Sequence, residues 1–225
     1  MQRLVQKNIN PANEEDLDST LFARIAIDLR DKGFSINPAA LPMSLSEPLR
    51  AHVLSMDENK FSAAGVGRGN DFVKNNFVRT DEISWITGDS KAGRDWLRWT
   101  SSLQAYLNEK LLLGLFSFES HVAHYGVDDY YKRHCDALRG EANRVLSLVL
   151  YLNSAWTATD GGELVLYEND QDLEGIKVTP LLGTLVIFLS EEFAHEVLPA
   201  NRDRYSVAGW FRVNSSTSTK VDPPR

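Results

Sequence analysis

The run Tyr130-Tyr131-Lys132-Arg133-His134-Cys135-Asp136 holds the residues best suited to chemistry. His134 and Asp136 stand two residues apart in a stretch that reads as strand, where alternate side chains share a face. An imidazole and a carboxylate projecting together supply two members of a 2-His-1-carboxylate triad. Such a triad holds Fe(II) on one face and leaves the opposite positions open. The third ligand must come from another strand, and His195, in Phe193-Ala194-His195-Glu196-Val197, is the best-placed histidine. Alone, a His-x-Asp triplet is a weak signal, since most are solvated loop residues. Cys135 lies between the two ligands, faces the other way, and reads as a buried, inert thiol. His52, His121 and His124 read as structural or surface residues.

Two strands downstream strengthen the triplet. Nine residues after His195, Arg204 opens Arg204-Tyr205-Ser206-Val207-Ala208-Gly209-Trp210-Phe211. Alternation puts Arg204, Ser206, Ala208 and Trp210 on one face of a mostly apolar strand. A buried arginine there needs an anion. That anion is either a protein carboxylate or the far carboxylate of a dicarboxylic cosubstrate, which a planar guanidinium grips with two hydrogen bonds. In the stretch 145–153, Leu146, Leu148, Leu150 and Leu152 share a face that wants burial. Val145, Ser147, Val149, Tyr151 and Asn153 share the other, which suits either a pocket wall or an ordinary core. Strict alternation places Arg144 on the leucine face unless a bulge re-aims it.

The elements that must position these residues come in a simple order. Residues 1–16 are polar and read as a flexible leader. A helix follows, with Asp18 or Ser19 as its cap, an apolar stripe of Leu21, Phe22, Ile25 and Leu29, and Gly33 at its end. A short strand at 34–36 precedes a second helix beginning near Ser46, with Pro48 in its first turn. Residues 61–87 read as a strand pair whose glycine-rich connection at 65–71 is either an insertion or a lid. A long helix spans 91–112. Strands then dominate, at 116–125, 130–136, 144–153, 163–168, 176–180, 184–189, 195–198 and 205–214, before a Ser/Thr/Pro-rich tail at 215–225. Helices first and short strands after predict a mainly β fold with flanking α: a jelly-roll core at about 116–214, within one domain at 17–214. The mouth of such a barrel is a natural pocket.

The chain has 225 residues and a net charge of −7, which argues against a nucleic-acid partner held by a basic surface. A single cysteine excludes an intrachain disulfide. No stretch approaches the length of a membrane span, and the N-terminus lacks an apolar signal core, so a cytoplasmic protein with no membrane partner is expected.

On these residues the chain resembles the Fe(II)- and 2-oxoglutarate-dependent dioxygenases. Within them it resembles the prolyl 4-hydroxylases that modify hypoxia-inducible factor in animals, and their bacterial counterparts. The motifs that carry the resemblance are Arg79-Thr80-Asp81-Glu82-Ile83-Ser84-Trp85, Tyr131-Lys132-Arg133-His134-Cys135-Asp136, Tyr151-Leu152-Asn153, Gly161-Gly162-Glu163-Leu164, His195-Glu196-Val197, and Arg204-Tyr205 with Trp210. The resemblance implies a double-stranded β-helix in which His134, Asp136 and His195 ligate iron. It implies that Arg204 and Tyr151 hold the 5-carboxylate of 2-oxoglutarate, in a pocket lined by Tyr125, Val149 and Leu164. Tyr131, Arg144, Trp210, Trp85 and Asp81 would serve the substrate, and the segment 65–80 would close over it. The implied reaction hydroxylates a prolyl residue at C4 in a protein, turning 2-oxoglutarate and O2 into succinate and CO2, with ascorbate as a sustaining reductant. The implied protein is a monomer, and elongation factor Tu is the implied partner. The chain departs from the family pattern at Ala208, where a threonine is common, and Tyr125 stands one residue closer to His134 than in the animal enzymes.

Other readings use the same residues. A binding barrel with a vestigial triad would hold iron and cosubstrate without turnover. An oxygenase of the same fold could act on a small molecule, on another protein residue or on damaged nucleic acid. A zinc hydrolase would use the same ligands but leave Arg204 without a task.

Overall fold

The computed structural model describes residues 11–65, 77–137 and 143–214. The leader at 1–10, most of the glycine-rich connection and the tail at 215–225 lie outside the described residues.

Three helices precede most of the strands. They are α1 (Pro11–Lys32), α2 (Met43–Leu54) and α3 (Lys91–Leu111). The strands are β1 (Phe34–Asn37), β2 (Ser62–Ala63), β3 (Glu82–Trp85), β4 (Ser117–Tyr125), β5 (Tyr131–His134), β6 (Arg144–Tyr151), β7 (Leu164–Tyr167), β8 (Ile176–Val178), β9 (Leu185–Leu189), β10 (Ala194–Val197) and β11 (Arg204–Arg212). The eight strands expected beyond residue 116 are all present.

Helix α1 starts earlier than its apolar stripe suggests. Residues 11–16, expected in the flexible leader, belong to it, and Pro11 takes the first helical position, where its missing N–H costs nothing. Asp18 is therefore no cap. Its carboxylate accepts from Trp99 Nε1 on α3 at 3.0 Å and ties the two helices together. Gly33 ends α1 as expected, with φ at +78° and its N–H on the Leu29 carbonyl. A Cβ there would lie 2.8 Å from the Phe193 ring. Helix α2 begins at Met43 rather than near Ser46, which leaves Pro48 one turn further inside. Helix α3 is capped by Ser90, whose hydroxyl accepts from the Gly93 N–H.

The strands form two antiparallel sheets. The larger runs β1-β9-β6-β11-β4-β3-β2 and the smaller β5-β10-β7-β8. The helices cover the outer face of the larger sheet. There Ile25, Leu29, Leu49, Trp96, Leu103 and Leu107 meet Leu146, Leu148, Leu150 and Leu152, as the leucine face requires. Each such side chain withdrawn from water contributes about 1.5–3 kcal/mol. The inner face packs against the smaller sheet through Ala123, Tyr125, Tyr151, Val186 and Phe188 on one side and Leu164, Leu166, Val178 and Val197 on the other. The site lies between these layers.

Candidate active site

Strands β5 and β10 pair antiparallel with His134 opposite His195, which sets the two imidazoles side by side, 4.3 Å between ring centres. Each Nδ1 faces a backbone carbonyl: His134 faces Lys132 at 2.7 Å and His195 faces Phe193 at 3.2 Å. A carbonyl only accepts, so each Nδ1 carries a proton and Nε2 is the nitrogen left to ligate a metal. Both Nε2 atoms converge on Asp136, whose Oδ1 is 3.6 Å from His134 Nε2 and whose Oδ2 is 3.6 Å from His195 Nε2. Strand alternation does not bring this about. Strand β5 stops at His134, and Asp136 reaches the site from the bend that follows. One ligand atom from each of the three residues lies within 4.8 Å of the other two, a spacing that suits a single metal ion. Cys135 between them is exposed, which corrects the expectation of a buried thiol.

Electrostatics favour metal over protons. Burial alone would raise the Asp136 carboxyl, but His195, His134 and Arg144 outweigh it and hold the group well below the usual carboxylate range. Burial, then the neighbouring His134, lowers His195 to about 4, so its ring stays neutral and free to ligate.

Across the interior, on the larger sheet, Arg204 is 1% exposed. Its Nε donates to the Gly162 carbonyl at 2.8 Å and its Nη1 to Ser206 Oγ at 3.2 Å. The guanidinium lies 4.8 Å from the Tyr125 ring centre and 5.2 Å from that of Tyr151. Among the described residues no carboxylate forms an ion pair with it, so the reading of Arg204 as one half of a structural salt bridge finds no support. Tyr151 adds a second unmet group. Its hydroxyl is buried beside Arg204 without a well-formed hydrogen bond, and burial, only partly offset by that guanidinium, raises it to about 12, so it stays a donor. A buried cation beside a hydroxyl, with no protein carboxylate on it, suits the carboxylate of a bound ligand. Leu164 belongs to the buried cluster that contains Tyr151, and Val149 packs against it. Gly162 permits the close approach of Arg204, since a Cβ there would stand 3.0 Å from its Cδ.

Beyond the triad, the residues expected at the substrate are linked by ring contacts. Arg144 is re-aimed by a bulge. Phe211 pairs with Leu146 and Arg212 with Arg144, so Val145 is looped out and packs toward the helices. The Arg144 guanidinium then lies 3.5 Å over the Trp210 ring and 3.2 Å from Glu119. Tyr131 stacks on His134 at 3.6 Å, and Arg79 covers the tyrosine at 4.2 Å. Trp85 is 45% exposed and stands edge-on to His121. Asp81, expected at the substrate, is closed off instead. It is 1% exposed and forms a two-pronged pair with Arg79 at 2.7 and 2.6 Å. Its contact with the site runs through Arg79 and Tyr131.

Sequence reasoning gave no role to Arg79, Glu119, His121, Ser147 or Ser190. Counting back from Tyr125 by twos reaches Ala123, His121 and Glu119, so alternation held the signal for the last two. His121 is 3% exposed, between Trp85 and Trp210, and is no surface residue.

Comparisons with known proteins agree with this geometry. Residues 120–212 match the family model described as the 2OG-Fe(II) oxygenase superfamily. The structure of a Pseudomonas putida prolyl-4-hydroxylase is 36% identical, covers 86% of this chain and 100% of its own, and superimposes with a TM-score of 0.76. A Trichoplax adhaerens prolyl hydroxylase, solved with a hypoxia-inducible-factor peptide, is 27% identical over 92% of this chain and 94% of its own, with a TM-score of 0.76. The prolyl 3-hydroxylase OGFOD1 of Xenopus laevis is 33% identical over 125 residues, 52% of this chain but only 23% of that protein. The chain thus spans less than a quarter of the length of the curated relatives it matches. The two sheets are the double-stranded β-helix, the triad is its iron site, 2-oxoglutarate is the dicarboxylate that the interior fits, and the chain belongs to the 2OG-Fe(II) oxygenase superfamily.

Proposed function

We propose that this chain hydroxylates a prolyl residue of a protein at C4. The observation that carries the reading is the mouth beside the triad. Tyr131 stacks on the ligand His134, Arg144 lies over Trp210, and Trp210 and Trp85 both meet His121, so three aromatic rings and a guanidinium adjoin one another beside the triad. Flat rings suit the C–H faces of a pyrrolidine, and Arg144 suits a peptide carbonyl. The likeness to a prolyl-4-hydroxylase over that enzyme's full length supports it.

His134, Asp136 and His195 would hold Fe(II), and Arg204 and Tyr151 would hold the 5-carboxylate of 2-oxoglutarate. Tyr125, Val149 and Leu164 wall off the methylenes of the cosubstrate and exclude water. When bound, the iron supplies the redox chemistry: O2 oxidises 2-oxoglutarate to succinate and CO2, and one oxygen atom enters the prolyl ring. The protein's own work is placement. Arg204 would fix the cosubstrate, and Asp136 would supply the negative charge among the three metal ligands. Tyr131, held between Arg79 and His134, gives the target ring a fixed wall.

The same reading includes a cytoplasmic monomer sustained by ascorbate, with elongation factor Tu as the protein partner. Among the described residues no helix is long and apolar enough to cross a membrane. The test is peptide mass spectrometry on a bacterial lysate treated with the enzyme, Fe(II) and 2-oxoglutarate, with His134→Ala as control. A proline gaining one oxygen only with the active enzyme establishes the reaction and names the partner, and fragment ions and synthetic standards separate C4 from C3. Consumption of 2-oxoglutarate with no protein residue changed would move the substrate to a small molecule.

A further inference from the structure

Asp136 presents both of its oxygens equally to the two imidazoles, each 3.6 Å from an Nε2. One contact breaks this symmetry. Ser147 Oγ lies 2.7 Å from Asp136 Oδ2, and Ser190 Oγ lies 2.8 Å from Ser147 Oγ. An ionised carboxylate only accepts, so Ser147 spends its proton on Asp136 and its own oxygen accepts from Ser190. The hydroxyls form a directed chain from Ser190 through Ser147 to Oδ2. Both serines are buried, at 1% and 0% exposure, so no bulk solvent competes for these bonds.

The fold builds the chain deliberately. Ser147 is an inward residue of β6, locked in register between Phe188 and Trp210. Ser190 follows β9, and its N–H donates to the Val145 carbonyl at 3.0 Å, at the bulge that re-aims Arg144. One irregularity therefore places both a mouth residue and the far end of the hydroxyl chain.

We propose that Ser147, supported by Ser190, is a positioning residue that engages Oδ2 and leaves Oδ1 as the single metal-ligating oxygen of Asp136. The proposal rests on the reading of the triad as a metal centre. Its consequence is a matter of counting positions. On a six-coordinate metal, two histidines and one carboxylate oxygen would leave three positions for the cosubstrates. A carboxylate bound through both oxygens would take one of these away. An oxygen already accepting a short, buried hydrogen bond is the poorer ligand, so Ser147 keeps the third position open.

The test replaces Fe(II) with Co(II), whose visible absorption reports coordination number, and titrates the full chain without asking for turnover. Ser147→Val and Ser147→Thr have the same shape and differ by the hydroxyl. In the valine variant Co(II) should bind about ten-fold more weakly, with altered band intensities. The threonine variant should keep the native affinity and spectrum. Ser190→Ala, which does not touch Asp136, should show a smaller loss, and urea midpoints confirm that each variant is folded. Wild-type affinity and spectrum in Ser147→Val would overturn the role of the hydroxyl while leaving the metal centre intact. Unchanged Co(II) binding in His134→Ala would overturn the metal centre and the proposal with it.

Discussion

Tyr151 carries a hydroxyl that the protein alone does not satisfy, and this separates binding from stability at a single atom. An unpartnered buried hydroxyl is costly, whereas a hydrogen bond to a charged group is worth about 1.5–3 kcal/mol. Tyr151→Phe should therefore leave the ligand-free protein at least as stable, while weakening 2-oxoglutarate binding by roughly ten-fold or more. Thermal melts with and without cosubstrate measure both; a large loss of ligand-free stability would mean that the hydroxyl has a structural partner. His121 gives a second prediction at this scale. Burial, then Arg79 and Arg144, lowers it to about 3 from an ordinary value of 6.5. The unfolded chain then binds a proton that the folded chain refuses. The contribution is fully present above pH 6.5 and is lost as pH falls from there toward 3. In His121→Gln the metal-free protein should lose less stability on acidification, by roughly 1 kcal/mol per pH unit between pH 6 and 5. Urea unfolding at several pH values reads the slope, and equal slopes in the two proteins would contradict the buried, neutral histidine. His195 is lowered in both proteins and does not enter the difference.

Strands were more legible than the features that interrupt them. The leucine face of β6 and the inward face of β11 follow from period-two alternation, and Tyr151 stands on the face opposite the leucines, where alternation put it. The site also depends on what alternation does not describe. Asp136 enters from a bend, Arg144 turns at a bulge, and Asp81 disappears into a pair with Arg79. Each is a tertiary outcome in which a partner strand or partner charge overrides local pattern. The early start of α1 was hidden for a related reason, because Pro11 signals a helix start only to a reader who expects helix before the apolar stripe begins. Strand β11 shows how tightly the elements are fitted. Gly209 faces the helices at its centre, and a Cβ there would lie 2.6 Å from Phe118 Cζ. That ring packs on Phe211 and Trp96, with centres 4.6 and 6.2 Å away. Gly209→Ala should cost about 1–3 kcal/mol by overpacking, with the triad intact. A native urea midpoint would show that Phe118 has room to move.

At the scale of the whole molecule, the two ends of the proposed cosubstrate site belong to different layers. The metal ligands come from β5, the bend after it, and β10, at one edge of the four-stranded sheet. Arg204 and Tyr151 come from β11 and β6, in the middle of the seven-stranded sheet. A dicarboxylate held at both ends bridges the layers, whereas a metal alone secures only the smaller sheet. Ligands that bind only the folded state stabilise it by mass action, by about 2.7 kcal/mol at one hundred times the dissociation constant. Mn(II), in place of Fe(II), should raise the unfolding temperature by itself. 2-Oxoglutarate without metal should raise it little, and the two together should exceed the sum of the separate shifts. Arg204→Ala should keep the metal increment and lose the extra one, because it removes the anchor on the larger sheet. His134→Ala should lose both, since without the metal the keto end of the cosubstrate has nothing to hold it. Additive shifts in the wild-type protein would mean that metal and cosubstrate bind independently, and the bridging arrangement of Arg204 and the triad would then be wrong.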